Sequence, residues 1–260
     1  MHLIRSVLFA ILLAVITVPY ALVAMLIFWL PPMTRHRIIT SWVPIMMWVI
    51  RHVLGIRYRV IGAENIPPGP AVVLSKHQSA WETIALQQIF PPLCYVLKRE
   101  LLRVPFFGWA LAQIPGIAID RGAGKDALTQ VIEQGRARLK EGLWVVVFPE
   151  GTRVAPGAMR RYKPGGAFLA KRAGVPIVPV AHNAGEFWRR NAFLKWPGEV
   201  VVSIGPLIDV KGVKVEQINS RAEAWIESEM RRLFPQHYAN QPFGEAVEAE
   251  AESPAESGEA

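Results

Sequence analysis

AVVLSKHQSAWETIALQQIF, residues 71–90, contains the change of hydrophobic period on which the fold reading rests. Its first four residues, 71–74, are an apolar run with the length and composition of a buried strand. Residues 80–90 then read as a helix, and Ser79 is placed to cap its first turn. A strand that passes through a polar turn into a helix is the repeating unit of an α/β domain.

The same alternation extends in both directions. Strands are expected at 58–61, 71–74, 94–97, 116–119, 144–148, 177–181 and 200–204. Helices are expected at 80–90, 105–113, 126–140, 165–173 and 216–234. In 126–140, Ala127, Leu128, Val131, Ile132 and Leu139 recur at helical spacing and define one buried face. The predicted fold class is α/β: a mixed sheet of about seven strands flanked by helices, with no internal repeat. At 260 residues the chain suits one such domain plus a short appendage.

That appendage is the N-terminal region. Residues 6–30 contain no charged side chain, which is long enough to cross a bilayer core. A cleaved signal peptide would have a shorter apolar core ending at a small-x-small site, and this run continues through Met25, Phe28 and Trp29. A retained anchor is therefore expected. A second apolar segment, 38–54, holds Trp42, Met46, Met47 and Trp48, is interrupted by Pro44, and has Arg35, Arg37, Arg51, Arg57 and Arg59 in and around it. Aromatic residues and arginines in this arrangement suit a membrane interface. Positive charge follows both segments, so a shallow helical pair, or one span plus an interfacial helix, fits better than a two-pass hairpin. The expected organisation is a membrane-anchoring pair of apolar helices at 1–55, a catalytic domain at 56–240 and an acidic disordered tail at 241–260.

The tail carries six glutamates and no Lys or Arg. Without it, 29 basic residues face 15 acidic ones over residues 1–240, a net charge of +14. So basic a body implies an anionic partner, and the apolar start favours membrane phospholipid over nucleic acid. The single cysteine, Cys94, lies in an apolar run, which excludes an intrachain disulfide and suits a small buried side chain. The six histidines lack H-E-x-x-H or Cys/His spacing, so no metal site is expected.

Four blocks carry chemical groups. In Ser75–Glu82, His77 and Glu82 would stand about 140° apart on one continuous helix and could not meet. They meet if His77 lies in the turn and Glu82 in the first helical turn. The carboxylate then holds one imidazole nitrogen and frees the other as a base, the logic of a Ser-His-Asp triad whose serine is replaced by a substrate alcohol. The second block, Lys98–Gly108, leads on to Ile119, Asp120 and Arg121, and Lys98 at a strand end offers a compact charge to a phosphate. In the third, Phe148–Arg153, proline and glycine turn the chain at a strand's carboxyl end, where open α/β sheets bind ligands. Arg153 there suits a bidentate phosphate grip, and Glu150 suits either a substrate hydroxyl or the bracing of its loop. The fourth, Val175–Val180, reads first as a buried strand.

These blocks, in this order, resemble the 1-acylglycerol-3-phosphate acyltransferases of the glycerophospholipid acyltransferase superfamily, over about residues 56–206. The resemblance implies transfer of a fatty acyl group from acyl-CoA or acyl carrier protein to the sn-2 hydroxyl of 1-acyl-sn-glycerol-3-phosphate, lysophosphatidate, giving phosphatidic acid without a cofactor. It implies His77 as base with Glu82 as its acidic partner, and a phosphate site at Lys98 and Arg153 shaped by Glu150 and Gly151. The acidic partner in that family is usually Asp, so Glu82 is a departure and leaves the acceptor open. The alternatives are another lyso-lipid acceptor or a non-catalytic membrane protein that binds phospholipid. The expected location is a membrane, the inner membrane in a bacterium, with the catalytic domain on the cytosolic side.

Overall fold

The computed structural model describes residues 1–239 apart from 121 and 123. The acidic segment 241–260 and Arg121 therefore lie outside the described residues. Three helices open the chain: α1 (His2–Leu26), α2 (Pro32–Thr40) and α3 (Trp42–Val49), followed by a π-helical turn at Ile50–Leu54. Then come β1 (Ile56–Ile61), β2 (Val72–Ser75), α4 (Trp81–Ile89), β3 (Leu93–Lys98), α5 (Phe107–Leu111), β4 (Ile117–Ile119) and α6 (Lys125–Lys140). The chain continues through β5 (Trp144–Val147), α7 (Gly165–Ala173), β6 (Ile177–His182), α8 (Ala184–Phe187), β7 (Gly198–Ile204) and α9 (Val215–Leu233). Each expected strand and helix of the domain is present. The expected helix 105–113 is shortened because Arg99–Arg103 forms a 3₁₀ turn and Phe106 takes a positive φ of 59° just before α5.

The seven strands form one sheet in the order β1-β7-β6-β2-β5-β3-β4. β2, β3, β4, β5 and β6 run parallel; β7 is antiparallel to β6, and β1 follows β7, so the sheet is mixed. Strand period then divides the core in two. Val73, Val146, Val178 and Val180 face one layer with Trp81, Ala85 and Leu86 of α4. Val72, Leu74, Val145 and Val147 face the other with Leu169 of α7 and Ile218 and Ile226 of α9. Gly166 of α7 lies so close over β2 that a Cβ there would run into the Leu74 side chain. The helix can reach the sheet only because that atom is missing.

The N-terminal region departs from the expected pair of membrane helices. Among the described residues one helix, α1, is long and apolar enough to cross a membrane by length and composition. The segment 38–54 is instead divided between α2, α3 and the π-helical turn, and its Val43, Met46, Met47, Ile50 and Leu54 are buried in the core shared with the sheet. Sequence hydrophobicity cannot separate these cases, because a helix buried in protein and one buried in lipid are equally apolar. α1 itself is two-sided. Phe9, Ala21 and Ala24 are buried against the domain, whereas Ile4, Ile11, Val15, Leu22 and Leu26 are exposed.

Candidate active site

The parallel strands bring Ser75 of β2, Val147 of β5, His182 of β6 and Lys98 of β3 to the same carboxyl edge of the sheet. β2 lies between β5 and β6, so whatever follows it is walled by the turns leaving its two neighbours.

His77 sits two residues beyond β2, where the chain has left the ladder and not yet become helical. Ser79 Oγ accepts the Trp81 N–H at 3.1 Å, and Glu82 Oε1 reaches back to the Ser79 N–H at 2.7 Å, a reciprocal cap of the capping-box kind. The same oxygen accepts the Gln78 N–H at 2.9 Å and His77 Nδ1–H at 2.8 Å. The five-residue spacing closes because the helix begins between the two residues. A carboxylate only accepts, so Nδ1 carries a hydrogen, and in the neutral ring Nε2 then keeps its lone pair. No hydrogen bond among the described residues engages Nε2.

Glu82 is fully buried, and the His77 side chain is 14% exposed. Burial pushes the Glu82 carboxyl up, but the His182 and His77 imidazoles and the Ser79 N–H outweigh it, and the pKa falls below the ordinary carboxylate value. The three N–H donors on one oxygen act in this direction whatever the charge of the imidazoles. The His77 ring stacks on Phe148 with centroids 3.9 Å apart and planes 14° apart, which fixes the ring plane.

The turn after β5 forms the facing wall. Gly151 takes a positive φ of 73° and donates its N–H to Phe148 O at 3.0 Å, closing the turn that the glycine allows. Glu150 points inward and is fully buried: Oε2 accepts the His77 N–H at 3.0 Å, and Oε1 lies 3.1 Å from Lys76 Nζ. Of the two roles open to Glu150, substrate contact and bracing the loop, these contacts favour bracing. Burial pushes its carboxyl up to about 7, against the pull of Lys76. Val154 N–H binds His77 O at 2.8 Å, so Arg153, the preceding residue, is carried to the histidine's side. Arg153 is partly exposed, and its own carbonyl accepts a hydrogen bond from Arg190.

His77, Glu82 and Glu150 are thus in hydrogen-bond contact, with Gly151 and the backbone of Arg153 in the turn beside them. Lys98 stands apart from them, exposed at the end of β3. β3 is two strands from β2, which amounts to about 10 Å along the edge, a span that a headgroup and a long side chain together can bridge.

The sequence reading missed three participants. Phe148 ends the expected strand 144–148 and opens the turn block, and an aromatic residue at that place is a signal for a ring platform. His182 ends β6, fully buried, with Nε2 donating to Lys76 O at 2.8 Å. Lys76 is itself fully buried, and its Nζ lies 2.7 Å from Glu227 Oε1 on α9. Nothing local to Lys76 announces a partner 151 positions away. Among the described residues, no group of three His, Cys, Asp or Glu side chains could hold a metal ion.

Comparison with known proteins gives a consistent picture. The family model described as Acyltransferase matches residues 57–183. A 1-acyl-sn-glycerol-3-phosphate acyltransferase of Pseudomonas aeruginosa is 49% identical over 210 residues, covering 79% of this chain and 82% of that protein. The alpha form of the enzyme from Bos taurus is 34% identical over 69% of this chain and 63% of its own length. The crystal structure of the 1-acyl-sn-glycerophosphate acyltransferase PlsC from Thermotoga maritima superposes with a TM-score of 0.75 over 89% of this chain and 95% of that one. At 23% identity this last match speaks for the fold.

Proposed function

Because the chain belongs to the 1-acyl-sn-glycerol-3-phosphate acyltransferase family, we propose that its carboxyl-edge site performs that family's reaction with His77 as the base. The enzyme transfers a fatty acyl group to lysophosphatidate and forms phosphatidic acid. The observation that carries the assignment of the base is the bond from His77 Nδ1 to Glu82 Oε1, which leaves Nε2 free beside the Arg153 loop.

In the proposed mechanism the sn-2 hydroxyl of the acceptor gives its proton to His77 Nε2 as its oxygen attacks the thioester carbonyl. The new carbon–oxygen bond forms and the carbon–sulfur bond breaks. The proton then passes from the imidazolium to the departing thiolate, so the enzyme ends unchanged and no acyl-enzyme is needed. Glu82 stabilises the imidazolium and holds its ring, and Phe148 keeps that ring in plane. Arg153 and Lys98 hold the acceptor's phosphate, with Arg153 the nearer to the base, so that the hydroxyl is held close to Nε2. Glu150 and Gly151 shape the loop that presents Arg153. The acyl donor is acyl-CoA or acyl carrier protein.

In this proposal the outward apolar face of α1 attaches the enzyme to the membrane and the basic surface meets anionic headgroups, features that support a site at the cytosolic leaflet, where both substrates arrive. The decisive experiment incubates the purified chain with labelled acyl-CoA or acyl carrier protein and, in turn, lysophosphatidate, glycerol-3-phosphate and a lyso-aminolipid. Labelled phosphatidate from lysophosphatidate alone is expected. Transfer to one of the other acceptors in its absence would refute the acceptor assignment, and an active His77→Ala variant would refute the base.

A further inference from the structure

We propose that His182 and Glu150 clamp the peptide group between Lys76 and His77 from opposite sides, and that the buried Lys76 ammonium aims Glu150, so that these three are positioning residues for the His77 imidazole. The proposal rests on His77 being the base. The carbonyl of that peptide accepts His182 Nε2–H at 2.8 Å, and its N–H is donated to Glu150 Oε2 at 3.0 Å. The next carbonyl, that of His77, takes the Val154 N–H at 2.8 Å. Backbone polar groups on both sides of the His77 Cα are therefore tied to the turn after β5 and to the end of β6. With its backbone so held, the Cβ direction of His77 is fixed before any side-chain contact is counted.

The chemistry of each partner suits a support rather than a second base. Because Lys76 O can only accept, the His182 hydrogen lies on Nε2, and Nδ1 accepts the Ala184 N–H at 3.3 Å. Both ring nitrogens are used in the neutral tautomer, and burial lowers the His182 pKa against the pull of Glu82. Lys76 is fully buried and its ammonium has three oxygen partners: Glu150 Oε1 at 3.1 Å, Glu227 Oε1 at 2.7 Å and Ala158 O at 3.3 Å. Glu227 Oε1 also accepts the Tyr162 hydroxyl at 2.8 Å. Burying such a cluster costs solvation that an apolar set of the same volume would not, so its stability value is small. What it supplies is direction. With Oε1 held by Lys76, the second Glu150 oxygen faces the His77 N–H.

The test compares His182→Leu, which removes the donor, with His182→Gln, which keeps one, alongside His77→Ala. For folded His182→Leu, kcat is expected to fall about ten- to a hundredfold, the loss expected when a reacting group is misplaced by about 1 Å, with both KM values within about twofold of wild type. His182→Gln is expected to recover at least about half of the lost activity on a logarithmic scale. The double variant Lys76→Met, Glu227→Leu replaces the ion pair by apolar side chains and keeps the test open if His182→Leu does not fold; its kcat is expected to fall about tenfold at unchanged KM. Wild-type kcat in folded His182→Leu, or in the folded double variant, overturns the clamp while an inactive His77→Ala leaves the base in place. An active His77→Ala overturns the base itself.

Discussion

Replacing Glu82 by Gln isolates the charge on which the proposed base depends. The side-chain oxygen of Gln can occupy the place of Oε1 and accept the same three hydrogens, from His77 Nδ1, Gln78 N and Ser79 N, so the geometry survives and only the negative charge is lost. With donor and acceptor 2.8 Å apart, the charge centres of an imidazolium and this carboxylate lie about 4 Å apart, worth about 4 kcal/mol at an effective dielectric constant near 20. Full burial of Glu82 supports using that value rather than the aqueous one. The charge develops only as the hydroxyl proton moves, so the loss falls on the transition state, and kcat should drop about a thousandfold. The KM values should stay within about threefold, because Glu82 is fully buried and reaches the reaction only through His77. Initial rates of labelled phosphatidate formation at pH 7.5, with saturating lysophosphatidate and each donor, measure this directly. A Glu82→Gln enzyme within tenfold of wild type, alongside an inactive His77→Ala, would refute the electrostatic argument.

Arg153→Ala should raise the KM for lysophosphatidate about ten- to a hundredfold with little change in that for the donor, the loss of one charge-assisted phosphate contact, and Arg153→Lys should recover part of it; equal losses for both substrates would contradict a phosphate role. Acid stability follows from Glu82, whose folded pKa lies below its ordinary value of 4.5. Its contribution is present above pH 4.5 and is lost as pH falls through the folded value, so the urea midpoint of wild type should converge on that of Glu82→Gln below pH 4.5, and a constant gap would count against the shift. Ile11→Arg places a charge on the exposed face of α1, where Ile11 is 55% exposed, and should reduce co-sedimentation with anionic phospholipid vesicles by at least about tenfold without lowering the melting temperature. Gly166→Val should cost several degrees of melting temperature, because its side chain would occupy the space of Leu74 and lift α7 from β2; an unchanged melting temperature would contradict that packing.

The reading of Glu150 shows how far a motif carries. Its place after a strand and before Gly151 left two uses of its carboxylate open, and only the fold shows Lys76 Nζ 3.1 Å from one oxygen and the His77 N–H on the other, contacts that favour bracing. The helix pair expected at the N-terminus shows the opposite case. Hydrophobicity located both segments, and only packing revealed that Met46 and Leu54 belong to the core of the domain while Ile11 does not.

Sequence alone determined the seven strands and the helices between them, and it made the His77–Glu82 contact possible if the helix began between the two, because each is local: hydrophobic period, turn chemistry and a helix start act within a few residues. Tertiary structure alone decided that β2 lies between β5 and β6, and with it the meeting of residues 76 and 77 with 150, 182 and 227. Every central strand of a covered parallel sheet presents the same apolar pattern, so the pattern cannot say which strand lies beside which. Their order follows from how helices of particular length and shape pack across both faces at once, and the partners of a buried charge follow from that order.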